Sequence, residues 1–588
     1  MRNLLFSVLA IVILSGCSTQ DTSPKNHPGL NHLFTEIAVY EKSVNPFSEL
    51  ASGKHPTGFP SVSHEEMQKS TQQFEAYLEK LNNIPTSELS HQEVISQSVM
   101  ALKLNDIISD VKYNNHLIPF NAEGGFYNLI TYYLGSLPFA TTSDYEAYFN
   151  WLPKYADFIN QNQGLMAEGI QQKVVAPKVI VNNMTNTIKP WASEDMEINP
   201  LARPLLKLDI NASISESEKT ELLNKGTDLL KNTVVPAYKE LLAFTGNQYL
   251  AAAYDEVGIS NVPDGKAYYE DRVRYYTTLD MTPDSIYNLG LQEVARIRTQ
   301  MEAIIKDLEF EGDFGEFLTF LRTDEQFYPK TADELLHYAA WLSKRAEGIL
   351  PRYFHTLYMM PFTVEPVPDD IAPTYTAGRY VQGIAAQQRP GIYWVNTYNL
   401  PSRKFYSLPA LTLHEAVPGH HLQIMLAAES KTLDVPKFRN DYYISAFGEG
   451  WALYAEYLGE EMGMYPSPYD MFGKYTYEMW RACRLVVDVG LHYKGWTRDQ
   501  ARQYLADNTA LSQHEIYTEI DRYIGWPGQA VSYKIGELVI KSLREEASEK
   551  LGDKFDLRKF HHVILKNGSV PLSVLTEEVE AYIEETAG

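Results

Sequence analysis

Four residues in one short stretch carry the potential for chemistry: His414, Glu415, His420 and His421 in LTLHEAVPGHHLQ, Leu411 to Gln423. In the pattern His-Glu-x-x-His, two imidazoles four residues apart lean over one helix face and converge on a zinc ion. The glutamate between them reaches the water as general base. Here Pro418 stands where the second histidine belongs, and the histidines follow at intervals of six and seven. On an ideal helix, at about 100° per residue, the sixth position points roughly 240° away. The seventh returns to the same face but about 10 Å along the axis. Zinc–nitrogen bonds of about 2 Å cannot bridge that, so a regular helix here holds no metal. Pro418 cannot donate an amide bond to the carbonyl of His414, and Gly419 accepts unusual dihedrals. A two-residue bulge would return His420 to the place of the second ligand, with His421 one residue further on. The plain alternative is a kinked helix start with three ordinary histidines.

A third ligand requires a carboxylate on a second helix. SAFGEGWALYAEYLGEE offers Glu449, 29 residues after His420, between Gly448 and Gly450, where small residues let a backbone come close. Glu456 lies one helical face away, as a reserve ligand or a residue that orients the others. Further on, Arg481, Arg484, Asp488 and His492 form a polar stripe on an apolar helix. It is either an Arg484–Asp488 i,i+4 ion pair or a row that orients ligands and substrate carboxylates. EIDRYIGWPGQAVSYKIGEL gathers Arg522, Tyr523, Gln529, Tyr533 and Lys534 around a Pro-Gly turn. A metal-assisted hydrolysis needs a donor for the oxyanion, a role open to the hydroxyl of Tyr533 or Tyr523. Arg522 is a candidate to hold a substrate carboxylate.

The elements that must position these residues read as mainly α. Thr282 caps a helix opening at Pro283, and apolar residues from Ile286 to Leu308 keep a rough 3.6-residue period. Thr331 with Glu334, and Thr497 with Gln500, have capping-box spacing. The exception lies at about 355–400, where prolines at 361, 366, 368 and 373 exclude a helix. There RPGIYWVNT reads as a strand. The expected architecture is a large two-lobed helical fold with a small β-sheet next to the site helix. Residues 30–265 form an N-terminal helical lobe and 266–588 the lobe that bears the site.

Lys and Arg total 51 against 75 Asp and Glu, a formal charge of −24. That field repels phosphate backbones, and no nucleic-acid partner is expected. The N-terminus, MRNLLFSVLAIVILSGCSTQ, has Arg2, an apolar run too short for an ordinary transmembrane helix, and then Cys17. Leu14-Ser15-Gly16-Cys17 resembles a bacterial lipobox. Residues 1–17 would then be a lipoprotein signal peptide with Cys17 the lipidated residue, and 18–29 a flexible tether. Ser18 after the cysteine is similar to an outer-membrane sorting signal. The only other cysteine is Cys483, so no intrachain disulfide or cysteine-ligated metal remains, and any metal must sit on His and carboxylate.

Together, the lipobox, RPGIYWVNT, HEAVPGHHLQ, EGWALYAEYLGEE, RACRLVVDVGLH and RYIGWPGQAVSYKIGEL resemble a bacterial family of domain-of-unknown-function proteins. These are commonly lipoproteins and regarded as zinc peptidases. The resemblance spans most of the mature chain and is densest from about 350 to 540. Its fold is similar to helical gluzincin peptidases such as the thimet-oligopeptidase and carboxypeptidase Taq groups. The resemblance implies His414, His420 and Glu449 as ligands of one Zn2+ per chain, Glu415 as general base and Tyr533 as the oxyanion donor. His421, Glu456, Asp488 and His492 would orient or replace ligands. Tyr393 and Asn396, on the strand GIYWVNT, would pair with the peptide backbone as part of an edge strand, with Arg522 and Tyr523 also on the substrate. The expected function is a lipid-anchored zinc metallopeptidase, membrane-bound through its N-terminal lipid only, facing the periplasm and acting on oligopeptides. The alternatives are a non-catalytic peptide-binding lipoprotein and a metal-dependent amidase acting on cell-wall peptides.

Overall fold

The computed structural model describes residues 27–588 apart from 52, 136, 370, 385–387 and 431–434. The expected signal peptide, Cys17 and the tether up to residue 26 lie outside the described residues. The fold is mainly α, 69% helical, with one three-stranded sheet among the described residues. Its principal early helices are α1 (Pro28–Val44), α2 (His64–Asn82), α3 (His91–Lys112) and α4 (Thr142–Gln172). The chain continues through α5 (Gly265–Thr277), α6 (Pro283–Asp307) and α7 (Ala332–Ile349). The sheet comprises β1 (Phe362–Pro366), β2 (Gly378–Val381) and β3 (Gly391–Val395). After it come α8 (Leu408–Glu415), α9 (His420–Glu429), α10 (Ser445–Glu461) and α11 (Pro468–His492). The last elements used below are α12 (Gln513–Gly525) and α13 (Ser532–Leu551). No described helix is long and apolar enough to cross a membrane.

Local sequence sets these boundaries. Helix α6 starts at Pro283 with the Thr282 hydroxyl accepting from the Ser285 N–H. Thr497 and Gln500 form the full reciprocal box. At Thr331 only half of it forms: the hydroxyl caps the Glu334 N–H, while the Glu334 carboxylate takes the Lys330 N–H instead. One cluster of buried apolar side chains runs from Leu50 to Ile583 and ties the early and late helices together. Helix α11 is buried almost all round and packs along α6. Helices α10 and α13 pack still more intimately. A Cβ on Gly450 would fall 2.5 Å from the Gly536 backbone, and one on Gly536 would fall 1.9 Å from the Ala446 carbonyl oxygen. Any side chain there would force the two helices apart.

Buried charges cross this helical packing. Lys534 on α13, with no side-chain exposure, meets Glu537 at 2.6 Å, Glu478 at 2.9 Å and Glu293 at 3.2 Å. Arg296 pairs with Glu293 and Glu478, and Lys474 bridges Glu478 and Glu460. Lys534, grouped by sequence with the Pro-Gly turn, is therefore part of a structural ion network.

In the sheet, the strand order is β1-β3-β2, with β1 parallel and β2 antiparallel to β3. This corrects the expected edge strand. GIYWVNT forms the central β3, whose backbone is paired on both sides, while β2 presents an edge. Tyr393 is fully buried, with its hydroxyl 3.4 Å from Thr412 Oγ1. The Asn396 amide is buried and donates to the carbonyls of Ala372, Tyr375 and Thr376, locking the turn before β2. Neither residue is placed to touch a substrate.

Candidate metal centre

The helix carrying His414 ends at Glu415, and a new one begins at His420. The break covers four residues, and the Val417–Pro418 peptide is cis. Ala416 has φ −94° and ψ −104°, and the Gly419 N–H reaches back to the Leu413 carbonyl at 2.9 Å. A Cβ on Gly419 would sit 1.9 Å from the His414 carbonyl oxygen, so the fold-back requires glycine. The Trp451 indole, from α10, donates to the Pro418 carbonyl at 2.8 Å and pins the break to the next helix. Two short helices thus replace the bulged single helix and bring His420 beside His414, ring centroids 4.8 Å apart.

Glu449 comes in from the first turns of α10. Its Oε2 lies 3.4 Å from His414 Nε2 and 3.4 Å from His420 Nε2. All three donor atoms fall within 4.8 Å of one another. For bonds of about 2.0–2.1 Å, a tetrahedral ion has donor–donor edges of about 3.3–3.4 Å. Glu449 Oε2 and His420 Nδ1 are both buried without a hydrogen-bond partner. Burial opposes the charge on Glu449, but the imidazoles of His420 and His414 outweigh it and hold the carboxyl well below its ordinary range. Burial also pulls His414 down, yet Glu449, Glu456 and Glu415 lift it to about 10. The field at this point is strongly negative.

The surroundings orient these ligands. His414 Nδ1–H donates to Glu456 Oε1 at 2.8 Å, which leaves Nε2 facing Glu449. Glu456 is held in turn by Arg481 at 3.3 Å. Such a carboxylate behind a ligating histidine fixes its tautomer and raises its basicity. Glu415 Oε2 accepts the Tyr380 N–H of β2 at 2.7 Å, so the outer edge of the sheet faces the centre. Tyr443, which sequence reasoning missed, donates its hydroxyl to Glu449 Oε1 at 3.1 Å. Tyr443 is 41% exposed overall, but desolvation of its hydroxyl end and then the charge of Glu449 push that hydroxyl above its ordinary range. A tyrosine just ahead of α10 carries no local signal that singles it out.

The structure separates the remaining candidates. His421 points away from the centre: Nδ1 meets the Tyr380 hydroxyl at 2.9 Å and Nε2 the Met360 carbonyl at 3.0 Å. Burial lowers it to about 4. It is therefore a neutral core residue and not an alternative ligand. Asp488 accepts from the Tyr269 hydroxyl at 2.6 Å and the Gly528 N–H at 3.1 Å, and burial raises it to about 7. His492 accepts the Ile259 N–H and donates to the Tyr523 carbonyl, and burial lowers it to about 4. Both residues hold loops in place rather than metal ligands. Arg484 pairs not with Asp488 but with Glu519 at 3.1 Å and the Tyr523 hydroxyl at 2.8 Å. Tyr523 is fully buried, and its hydroxyl accepts from Arg484 and the Trp480 indole, which excludes substrate contact. Arg522 donates to Gln529 Oε1 and the Tyr533 hydroxyl and lies 3.4 Å from Glu123. Its guanidinium is engaged, so it positions Tyr533 rather than a substrate carboxylate.

The chain as a whole has known relatives. A search of curated proteins gave no match. Over 95% of its length the chain is similar to a solved structure described as a "putative lipoprotein" from Colwellia psychrerythraea, covering 99% of that chain at 28% identity and a TM-score of 0.87. A second solved structure, described as a putative lipoprotein of unknown function from Shewanella oneidensis, shares the fold at 18% identity and a TM-score of 0.73. There the match covers 94% of this chain and 99% of that one. Residues 46–579 match the family model described as a bacterial protein of unknown function, DUF885, and the chain belongs to that family.

Proposed function

We propose that this chain is a zinc-dependent metallopeptidase that hydrolyses peptide bonds of oligopeptides. The observation that carries the reading is Glu449 Oε2, buried, without a hydrogen bond and 3.4 Å from Nε2 of both His414 and His420, with Glu456 on the far side of the His414 ring. His414, His420 and Glu449 would hold the ion. Three carboxylates, Glu415, Glu449 and Glu456, stand there against the Arg481 guanidinium and a protonated His414, and a divalent cation that displaces the His414 proton would balance them. A bound zinc ion supplies Lewis acidity, polarising a carbonyl and making water a nucleophile near neutral pH.

The chain's own residues supply the rest. Glu415, steadied through Oε2 by the Tyr380 N–H, has Oε1 to take a proton from water and pass it to the leaving amine. A peptide laid along β2 would add a strand to the sheet and bring its carbonyl past Glu415. The Tyr533 hydroxyl accepts from Arg522 at 3.2 Å and Gln529 at 3.5 Å, so its own proton is available to an oxyanion. Attachment to the cell envelope through Cys17, at the outer membrane and facing the periplasm, is part of the same proposal. It is supported by the lipobox and by the printed description of the Colwellia relative.

The test is elemental mass spectrometry and peptide hydrolysis on protein purified without a His-tag or chelator. Zinc near one per chain, with hydrolysis falling about 10²–10⁴-fold in Glu415→Gln while zinc is retained, is the expected result. A chain that takes up no metal when zinc is supplied would sink the reading.

A further inference from the structure

A cavity of about 540 Å³ lies beyond the metal centre, walled by α2 and α3 on one side and by α5 and the end of α12 on the other. Its size falls within the range of about 300–1,000 Å³ typical of small-ligand sites. Two chains of contact lead from it toward the centre. Tyr442, next to Tyr443, meets the Tyr275 hydroxyl at 3.0 Å, and Tyr275 lies over the guanidinium of Arg272, a cavity residue. Along the other, Glu123 faces Arg522 while the following Gly124 lines the cavity.

The polar groups inside are unequally satisfied. Arg272 is engaged by Asp106 at 2.5 Å and Asp271 at 2.6 Å. Asp110 has no ion pair among the described residues; its one hydrogen bond is from the Asn115 amide at 2.6 Å. Burial raises its carboxyl above the ordinary value, against the pull of Asn115, His116 and Arg272. Tyr268 is 94% buried, in the cavity wall, and its hydroxyl makes no hydrogen bond among the described residues. Asp110 and Asp106 line the same cavity, and the Arg272 guanidinium, already held by Asp106 and Asp271, lies 5.2 Å from the centre of the Tyr268 ring. Phe120, Ile524 and Trp526 supply an apolar wall, and exposed Glu256 adds a second negative charge at the rim. An anion would meet Asp110 and Glu256 with no available cation. An ammonium group has the charge and the three donors that Asp110 and the Tyr268 oxygen lack.

We infer that this cavity is a binding site for an ammonium group, carried by the amino-terminal end of the peptide whose bond is presented at the metal centre. The inference rests on the peptidase reading for its substrate class, but its geometry is independent of catalysis. Recognition of the free amino end sets how far from that end the chain is cut.

The test uses the full chain carrying Glu415→Gln, loaded with zinc, so that bound peptide is not consumed. Affinities are measured by calorimetry for pentaalanine, N-acetyl-pentaalanine and N-acetyl-lysyl-tetraalanine. Acetylation is expected to weaken binding at least tenfold, and Asp110→Asn to remove that difference. Tyr268→Phe should shrink it at least threefold, which keeps the test readable if the Asp110 variant fails to fold. Recovery by the lysyl peptide would support the ammonium pocket and assign it to side chains as well as termini. Equal affinity for the free and acetylated peptides, no binding of either, or a difference that survives in Asp110→Asn would overturn the inference. Wild-type hydrolysis of pentaalanine is scored separately. Cleavage without amine discrimination sinks only the cavity assignment, and discrimination without cleavage sinks only the peptidase reading.

Discussion

Two buried clusters of charge lie on the same helices, and they differ in one respect. Around Lys534, the four carboxylates of Glu293, Glu460, Glu478 and Glu537 are matched by four cations, Lys474, Lys534, Lys541 and Arg296, through contacts of 3.5 Å or less. Around Glu449, three carboxylates face one guanidinium and the His414 imidazole, and Glu449 Oε2, the oxygen that faces both histidines, has no hydrogen bond. Buried charge is costly unless paired. The first cluster is complete in itself, whereas the second keeps an excess of negative charge that, on the proposed reading, a metal ion balances. Burial and ionisable side chains are common to both. The unmatched charge is what distinguishes a site from a scaffold.

The sharpest way to break this comparison is to exchange adjacent histidines. His420→Ala should abolish stoichiometric metal binding, while His421→Ala, which removes a neutral ring bonded to Tyr380 and Met360, should keep the metal and lower the thermal midpoint. Elemental analysis of the two variants decides between them. Metal lost from His421→Ala and kept in His420→Ala would reverse the ligand assignment.

The scaffold cluster should behave in the opposite way. Lys534→Met leaves Glu478 and Glu537 without their central cation, which costs about 3–5 kcal/mol for a broken buried pair. Metal content should not change. Urea unfolding together with elemental analysis reads both quantities. A variant as stable as wild type but depleted of metal would show that the two clusters are not separate.

How much of this was legible beforehand follows the range of the interactions. Helix starts at Pro283 and Arg498 are set by side chains within three residues, and sequence spacing finds them. Pro418-Gly419 announces a break, because proline's missing N–H and glycine's missing Cβ are local facts. Which histidine returns to the ligand position is not local. It depends on Trp451 holding the Pro418 carbonyl and on the fold-back to Leu413. The edge strand was misread because strand order is a property of pairing, and GIYWVNT looks the same in the middle of a sheet as at its edge. Asp488, His492, Tyr523 and Arg522 have the residue types of a site. Only their partners, from α5, α11 and the turns around Gly258 and Gly528, show that these side chains are already engaged, Asp488 through Oδ1 alone, with Oδ2 buried and unbonded.

That distinction gives the smallest expected effect and a check on the rule itself. His492 has both ring nitrogens bonded, with Nδ1 accepting from Ile259 and Nε2 donating to the Tyr523 carbonyl, and burial lowers it from 6.5 to about 4. Between those values the unfolded chain takes up a proton that the folded chain refuses. The stability contributed by the neutral ring is present above about pH 6.5 and is lost as pH falls toward 4, by at most about 1.4 kcal/mol per pH unit. His492→Gln keeps a polar side chain but cannot titrate, so its stability should fall less steeply than that of wild type over this window. Comparing the two at each pH cancels protonation of the metal ligands and of the other buried histidines. If the difference between them stays constant from pH 7 to pH 5, then His492 is not held neutral. Completed hydrogen bonding would then fail to separate this structural histidine from one that waits for a metal.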